Sequence, residues 1–221
     1  MTSRRLTSWS WLGRIGYSEA NELQVRSREA LRRGEGPERL LLLEHPPVFT
    51  LGRNAGQTDL LWSPEELERN GVEVHESDRG GQVTYHGPGQ LVGYPVLNLD
   101  PDRRDLRRYV ADLQQTLVDT LADFGVRAQG GERERIGVWT SGRKIASIGI
   151  HLSRWITTHG FALNVDPDLG HFAGIVACGM PQVEITSIAR ETGVRPELEQ
   201  VARRYCEHFA RRFDRDLAEA A

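Results

Sequence analysis

Apolar residues recur at three- and four-residue spacing through Leu106, Tyr109, Val110, Leu113, Leu117, Leu121 and Phe124, which predicts an amphipathic helix over 105–124. The same spacing returns after Pro196, in Leu198, Val201, Ala202, Tyr205, Phe209 and Phe213. Residues 18–33 are polar with spaced Ala20, Leu23, Ala30 and Leu31, the pattern of a surface helix that Gly34 ends. Ser63-Pro64-Glu65-Glu66 is a capping box with proline at the first helical position, opening a short helix that Gly71 stops. Strand signals lie between these helices. Leu40 to Leu43 form an apolar run closed by Pro46-Pro47, which reads as a buried strand over 39–45. Residues 72–75 alternate like a strand, and 80–99 read as two strands joined by the turn Gly87-Pro88-Gly89. Residues 136–139 and 144–152 predict a hairpin about Ser141-Gly142, and 155–163 a further strand. The strands after residue 130 follow one another without crossover helices. The expected fold class is therefore α/β of the α+β kind: a mixed, largely antiparallel sheet flanked by helices, not a doubly wound parallel sheet. No internal repeat or low-complexity linker divides the 221 residues, so 1–221 reads as one domain.

Composition narrows the class. Hydrophobic residues make up 38% and charged residues 27%, as in a soluble globular chain. The formal net charge of -3 supplies no bulk positive field, so no nucleic-acid partner is expected. Arg103, Arg104, Arg107 and Arg108 alternate with Asp102 and Asp105 and read as a solvated helix face, or as part of a docking patch for an acidic partner. Two cysteines, Cys178 and Cys206, make no disulfide framework. A cytoplasmic protein is expected, with no signal peptide and no membrane association. No exposed apolar heptad calls for a partner copy, so a monomer is expected. Cys206 sits among the apolar positions of the last helix and reads as core.

The candidate chemistry lies in Ile-Val-Ala-Cys178-Gly-Met and Gly-Arg-Lys144-Ile-Ala-Ser-Ile-Gly. A thiol becomes a good nucleophile when a neighbour lowers its pKa, and a lysine ammonium does so and then moves protons. The pair predicts acyl transfer through a cysteine thioester. Taken singly, each residue has a plainer reading: Cys178 as a buried inert thiol, Lys144 as a strand-start lysine reaching to water. The glycine-rich stretch 79–89 has neither the phosphate-loop pattern nor the dinucleotide pattern. His151, His159, His171 and Cys178 match no familiar zinc spacing, so no metal is expected.

Three segments together carry a resemblance: Asp78-Arg79-Gly80-Gly81-Gln82-Val83-Thr84-Tyr85-His86-Gly87-Pro88-Gly89-Gln90-Leu91-Val92-Gly93-Tyr94-Pro95, then Gly142-Arg143-Lys144-Ile145-Ala146-Ser147-Ile148-Gly149, then Ala177-Cys178-Gly179. His159-Gly160-Phe161-Ala162-Leu163-Asn164 and Glu44-His45-Pro46-Pro47-Val48-Phe49-Thr50 fit as well. The chain resembles the lipoyl(octanoyl) transferases, within the superfamily of biotin and lipoate protein ligase catalytic domains. That resemblance implies the ligase fold and a single catalytic domain. It implies transfer of an octanoyl group from octanoyl-acyl carrier protein to a lysine of a lipoyl domain, in 2-oxoacid dehydrogenase complexes and the glycine cleavage H protein. Carried over residue by residue, it makes Cys178 the acyl carrier and Lys144 its proton manager. No cofactor is implied, because a thioester going to an amide runs downhill without ATP. Ala177 departs from the proline the family more often has before the cysteine.

Arg79, Gly80, Gly81, Gln82, Val83, Thr84, Tyr85 and His86 are then expected to wall the substrate site. Tyr85 and Leu91 are candidates for lining an acyl channel, with core packing as the alternative. Arg79 either reaches the carrier's phosphopantetheine arm or holds the loop, and His86 either orients a carbonyl or satisfies a turn. Ser147, Ile148 and Gly149 are expected on the Lys144 strand, with Gly160, Phe161 and Ala162 on its neighbour, small residues leaving room for the chain. Gly179 offers an N–H for an oxyanion, His159 is a supporting donor or a core histidine, and Asn164 ties down a strand end. Two other functions compete: an ATP-dependent lipoate- or biotin-protein ligase, which needs the lysine but no cysteine, and a catalytically silent module that binds the acyl group, the carrier or the lipoyl domain.

Overall fold

The computed structural model describes residues 4–132, 135–177 and 183–220. Its elements in chain order are β1 (Arg5–Arg14), α1 (Tyr17–Arg33), β2 (Glu38–Glu44), β3 (Val48–Leu51), α2 (Pro64–Arg69), β4 (Glu73–Glu76), β5 (Val83–His86), β6 (Gln90–Val96), α3 (Leu106–Asp123), β7 (Gln129–Gly130), β8 (Val138–Thr140), β9 (Arg143–Ser153), β10 (Ile156–Asn164), α4 (Ile188–Thr192), α5 (Leu198–Phe213) and β11 (Arg215–Glu219). Among the described residues no helix is long and apolar enough to cross a membrane.

An eight-stranded sheet runs β11-β1-β2-β6-β10-β9-β8-β7, and a three-stranded sheet runs β4-β3-β5. In the large sheet β1 pairs in parallel with β11 and β2, and the remaining ladders are antiparallel. The mixed, largely antiparallel expectation is met. β2 shows why its middle, Leu40 to Leu43, is apolar without a break. Alternate side chains point to opposite faces. Leu40 and Leu42 enter the core under α3 and α5, while Leu41 and Leu43 enter a separate cluster with Ala20 of α1. A strand covered on both faces is apolar through its middle, and its charged residues stand at its two ends.

The amphipathic faces of α3 and α5 lie against the sheet through Tyr109, Leu113, Leu117 and Leu121, and through Val201, Tyr205, Phe209 and Phe213. Phe209 stacks on Phe213 at 4.4 Å between ring centroids. Cys206 is buried here, and burial pushes its thiol up to about 12, so it is inert packing as expected. Past α5, Asp214 turns the chain in the left-handed conformation into β11. Arg215 then lands in the interior against Glu38, with Nε to Oε2 at 2.6 Å and both side chains under 5% exposed. Thr7 Oγ1 and the Asn98 N–H also donate to Glu38.

Two local expectations are corrected. The strands either side of Gly87-Pro88-Gly89 exist, but they do not pair: β5 belongs to the small sheet and β6 to the large one, so this turn passes the chain between sheets. Arg103 is not on a solvated helix face. It precedes α3 and is buried, bonded to Asp112 and the Arg212 carbonyl, with its guanidinium 4.9 Å from the Phe213 ring centroid. Arg104, Arg107 and Arg108 are exposed as anticipated.

Candidate active site

The hairpin about Ser141 and Gly142, both at positive φ, starts β9 with Arg143 and Lys144. A bulge follows: the β8 ladder shifts register between Val138 and Trp139, and adjacent residues Ile145 and Ala146 both join the helical core. Such a bulge re-aims the neighbouring side chain. Lys144 is only 2% exposed, so it does not reach into water as a strand-start lysine would. Its Nζ lies 5.5 Å from the Trp139 ring centroid, a cation–π distance. The side chain crosses Gly137 so closely that a Cβ there would come within 2.7 Å of Lys144 Cε. Gln114 of α3 secures this stretch by donating to the carbonyls of Gly131 and Gly137 at 2.7 and 2.8 Å.

The segment after Cys178 is joined to the same lysine. The Lys144 N–H donates to the Glu184 carbonyl at 2.8 Å, and the Thr186 N–H donates to the Lys144 carbonyl at 2.9 Å. Before the cysteine, Ala177 is buried with Phe49, Val83 and Tyr85. Cys178 and Gly179 themselves lie outside the described residues.

A cavity of about 610 Å³ opens beside Lys144. Its floor is paved by cross-strand pairs of small residues, Ala162 opposite Ser147 and Gly160 opposite Gly149. Ile148 and Phe161 also line it, as do Arg79, Gly80, Gly81, Gln82, Val83, Thr84 and His86. Of the anticipated wall residues, Tyr85 stands apart. It stacks on His171 with centroids 4.9 Å apart and packs against Phe49, in the core of the small sheet. Leu91 lies in the helical core. Arg79 holds its loop: the guanidinium donates to the Thr50 carbonyl at 2.6 Å, to Thr50 Oγ1 and to the Gly80 carbonyl.

His86 Nδ1 donates to Gln90 Oε1, 2.8 Å away, Gln90 donates to Asn164 Oδ1, and Asn164 donates to the Thr186 carbonyl. Asn164 therefore ties the end of β10 to the segment bonded to Lys144. His159 lines the cavity as well, and sequence reasoning missed Tyr17, Asn54, Tyr94, Val110, Arg135, Ile136 and Ile150 of its lining. Tyr94 did fall inside the quoted motif, but nothing in the pattern separated it from core tyrosines. Among the described residues no cluster of three or more His, Cys, Asp or Glu is placed to hold a metal.

The site's histidines differ in environment. Burial lowers His45 to about 4 and His86 well below the ordinary histidine value, so both are neutral hydrogen-bonding groups at pH 7. His45 bonds the Ile15 carbonyl and Tyr94 Oη. A base depressed in the folded state binds its proton first in the unfolded chain, so its contribution is whole above about pH 6.5 and is lost as pH falls toward 4. Thermal melts from pH 7.5 to 4.5 are expected to show falling stability, with a shallower fall in His45→Gln. A slope unchanged in the variant would refute this assignment. His159 instead pairs with Asp78, Nε2 to Oδ1 at 2.6 Å, and that hydrogen bond holds Asp78 down at about 2.

Comparison with known proteins agrees with this architecture. Residues 17–210 match the family model of the lipoyl protein ligase A/B catalytic domain. An octanoyltransferase of Solibacter usitatus is 50% identical over 210 residues, covering 95% of this chain and 94% of its own. The bipartite lipoate protein ligase of an archaeal lipoylation system from Thermoplasma acidophilum superposes with a TM-score of 0.76 at 16% identity, covering 100% of this chain and 87% of its own. Biotin protein ligase from Aquifex aeolicus superposes at 0.52 and 11% identity, covering 95% of this chain and 69% of its own, and shares the fold. With the family model spanning most of its length and half its residues shared with such a relative, the chain belongs to the octanoyltransferase family of the lipoyl protein ligase A/B catalytic domain.

Proposed function

We propose that this protein moves an octanoyl group from octanoyl-acyl carrier protein to the lipoyl-domain lysine of 2-oxoacid dehydrogenase complexes and the glycine cleavage H protein, with Cys178 carrying the acyl group as a thioester. Membership of the octanoyltransferase family supplies the reaction class, acyl transfer in lipoate biosynthesis. The observation that carries the residue assignment is Lys144: a lysine withdrawn from water, at the edge of a small-residue trough, bonded through its backbone to the segment that follows Cys178.

In the first half-reaction the Cys178 thiolate, stabilised by the Lys144 ammonium, attacks the octanoyl carbonyl carbon. The carbon–sulfur bond to the carrier breaks and the departing thiolate takes a proton from Lys144. In the second, the acceptor lysine's neutral amine attacks the acyl-enzyme carbonyl. The amide forms, the Cys178 thiolate leaves, and the proton lost by the attacking nitrogen returns to neutral Lys144. Protons balance over the two halves, and no ATP enters.

Intact mass measurement after mixing with octanoyl-acyl carrier protein, without ATP, tests this. An adduct of one octanoyl group is expected, absent from Cys178→Ala and discharged by a lipoyl domain. Transfer that runs only with ATP would instead establish a ligase, and absence of both adduct and transfer would leave a binding module.

A further inference from the structure

Lys144 lines the trough together with Val110, Arg135 and Ile136. Five residues along β9, about 16 Å at the rise of an extended strand, lies Gly149. There the segment 78–81 crosses the floor. A Cβ on Gly149 would meet the Gly80 carbonyl oxygen at 2.9 Å and Arg79 Cδ at 3.2 Å, so the segment rests directly on the strand. The Gly80 N–H donates to the Ile150 carbonyl at 2.9 Å.

Two histidines of the sheet flank the start of this segment, and His159 bonds its side chain. His159 Nε2 bonds Asp78 Oδ1, and His151 Nδ1 lies 3.2 Å from the Asp78 carbonyl. His159 is set for this by its backbone. It stands inside β10 at φ 55, in the left-handed region that residues with a side chain seldom adopt. The β6 ladder runs from Asn164 opposite Gln90 to Phe161 opposite Gly93. Continued in register it would bring Pro95, which has no N–H, opposite His159. The His159 N–H turns instead to Gln24 Oε1 of α1, at 2.6 Å. Strain of this kind persists where surrounding contacts over-determine it, and it clusters at functional positions.

The partner of His159 across the β9 ladder is Ile150, six residues and about 20 Å of strand from Lys144. His159 lines the same cavity as Lys144 but is set well along the strand from it, which favours a geometric part over a shared proton transfer. We propose that Asp78 and His159 are positioning residues that fix segment 78–81 as the end wall of the acyl trough, and so set the longest acyl chain the protein accepts. The inference rests on the acyl-transfer reading of the same cavity and adds what determines its substrate length.

The test titrates free octanoate and dodecanoate into the full chain and takes the ratio of their dissociation constants, alongside transfer from octanoyl- and dodecanoyl-acyl carrier protein. In Asp78→Ala and His159→Leu the preference for the shorter acid is expected to fall at least five-fold. His159→Gln, which can still donate to Asp78, should keep the wild-type ratio. Hydrogen exchange at the Gly80 amide should quicken in the first two variants and not in the third. Asp78 is half exposed, so its variants are expected to fold even where those of His159 do not. An unchanged ratio in folded Asp78→Ala, or a wild type that binds neither acid, overturns the end wall. A wild type that fails to transfer octanoyl while its variants still shift the binding ratio refutes the transfer reading and leaves the wall standing.

Discussion

Lys144→Ala is expected to slow acylation of the protein by octanoyl-acyl carrier protein by about 10²–10⁴-fold at neutral pH, the usual contribution of a positioned proton-transfer group. Under the proposed mechanism the variant loses the cation assigned to stabilise the thiolate, and the cysteine would revert toward an ordinary thiol that is mostly protonated at pH 7. Raising the pH should therefore restore part of the rate, by filling the thiolate form without the ammonium. Rapid-quench measurement of acyl-enzyme formation between pH 7 and 9 reads both effects. Acylation at the wild-type rate at pH 7 would remove Lys144 from the chemistry. Discharge of a preformed acyl-enzyme to the lipoyl domain should slow as well, because the attacking amine has lost its proton acceptor. A variant impaired in only one half-reaction would show that the lysine does not serve both.

The second large effect is on stability. Arg215→Ala removes the guanidinium that faces Glu38 in the interior. Breaking a buried pair costs about 3–5 kcal/mol, because the surviving charge stays desolvated without its partner. Here Arg5 Nη1 remains 3.1 Å from Glu38, which favours the lower end of that range. At about 2–4 °C per kcal/mol for a chain of this size, the melting temperature should fall by roughly 6–12 °C. Removing both charges in Arg215→Met with Glu38→Gln should recover a substantial part of the loss, since no lone ion is then buried. A single variant as stable as the wild type, in calorimetry at neutral pH, would show that the pair contributes nothing to folding.

The helices and the β8–β9 hairpin were legible because each has a local signature: the spacing of Leu113, Leu117 and Leu121, the capping box at Ser63, the turn at Ser141-Gly142. Pairing partners were not. Alternation tells which face a residue occupies and not which strand lies beside it, so the separate sheets of β5 and β6 could not be read. In β5 even the faces were hidden, since Val83, Thr84, Tyr85 and His86 are all buried. That is why Tyr85 read as a wall residue although it packs in the core of the small sheet. β11 was missed because Arg-Asp-Leu-Ala-Glu is the charged composition of an edge strand and carries little β propensity. Within the candidate site, the small residues of β9 and β10 announced a floor by type alone. The burial of Arg103 and the left-handed backbone of His159 depend on distant neighbours, Asp112 and Gln24, that no local pattern names.

The two-sided burial of β2 separates two duties that a thinner molecule would have to combine. Leu40 and Leu42 belong to the slab formed with the long helices, whereas Leu41 and Leu43 pack in the cluster that holds Tyr94 and Ala162 of the cavity lining. A descendant sequence can therefore reshape the binding side in small steps while the helical side keeps its register. The strand acts as a partition between a conservative foundation and an adaptable chamber.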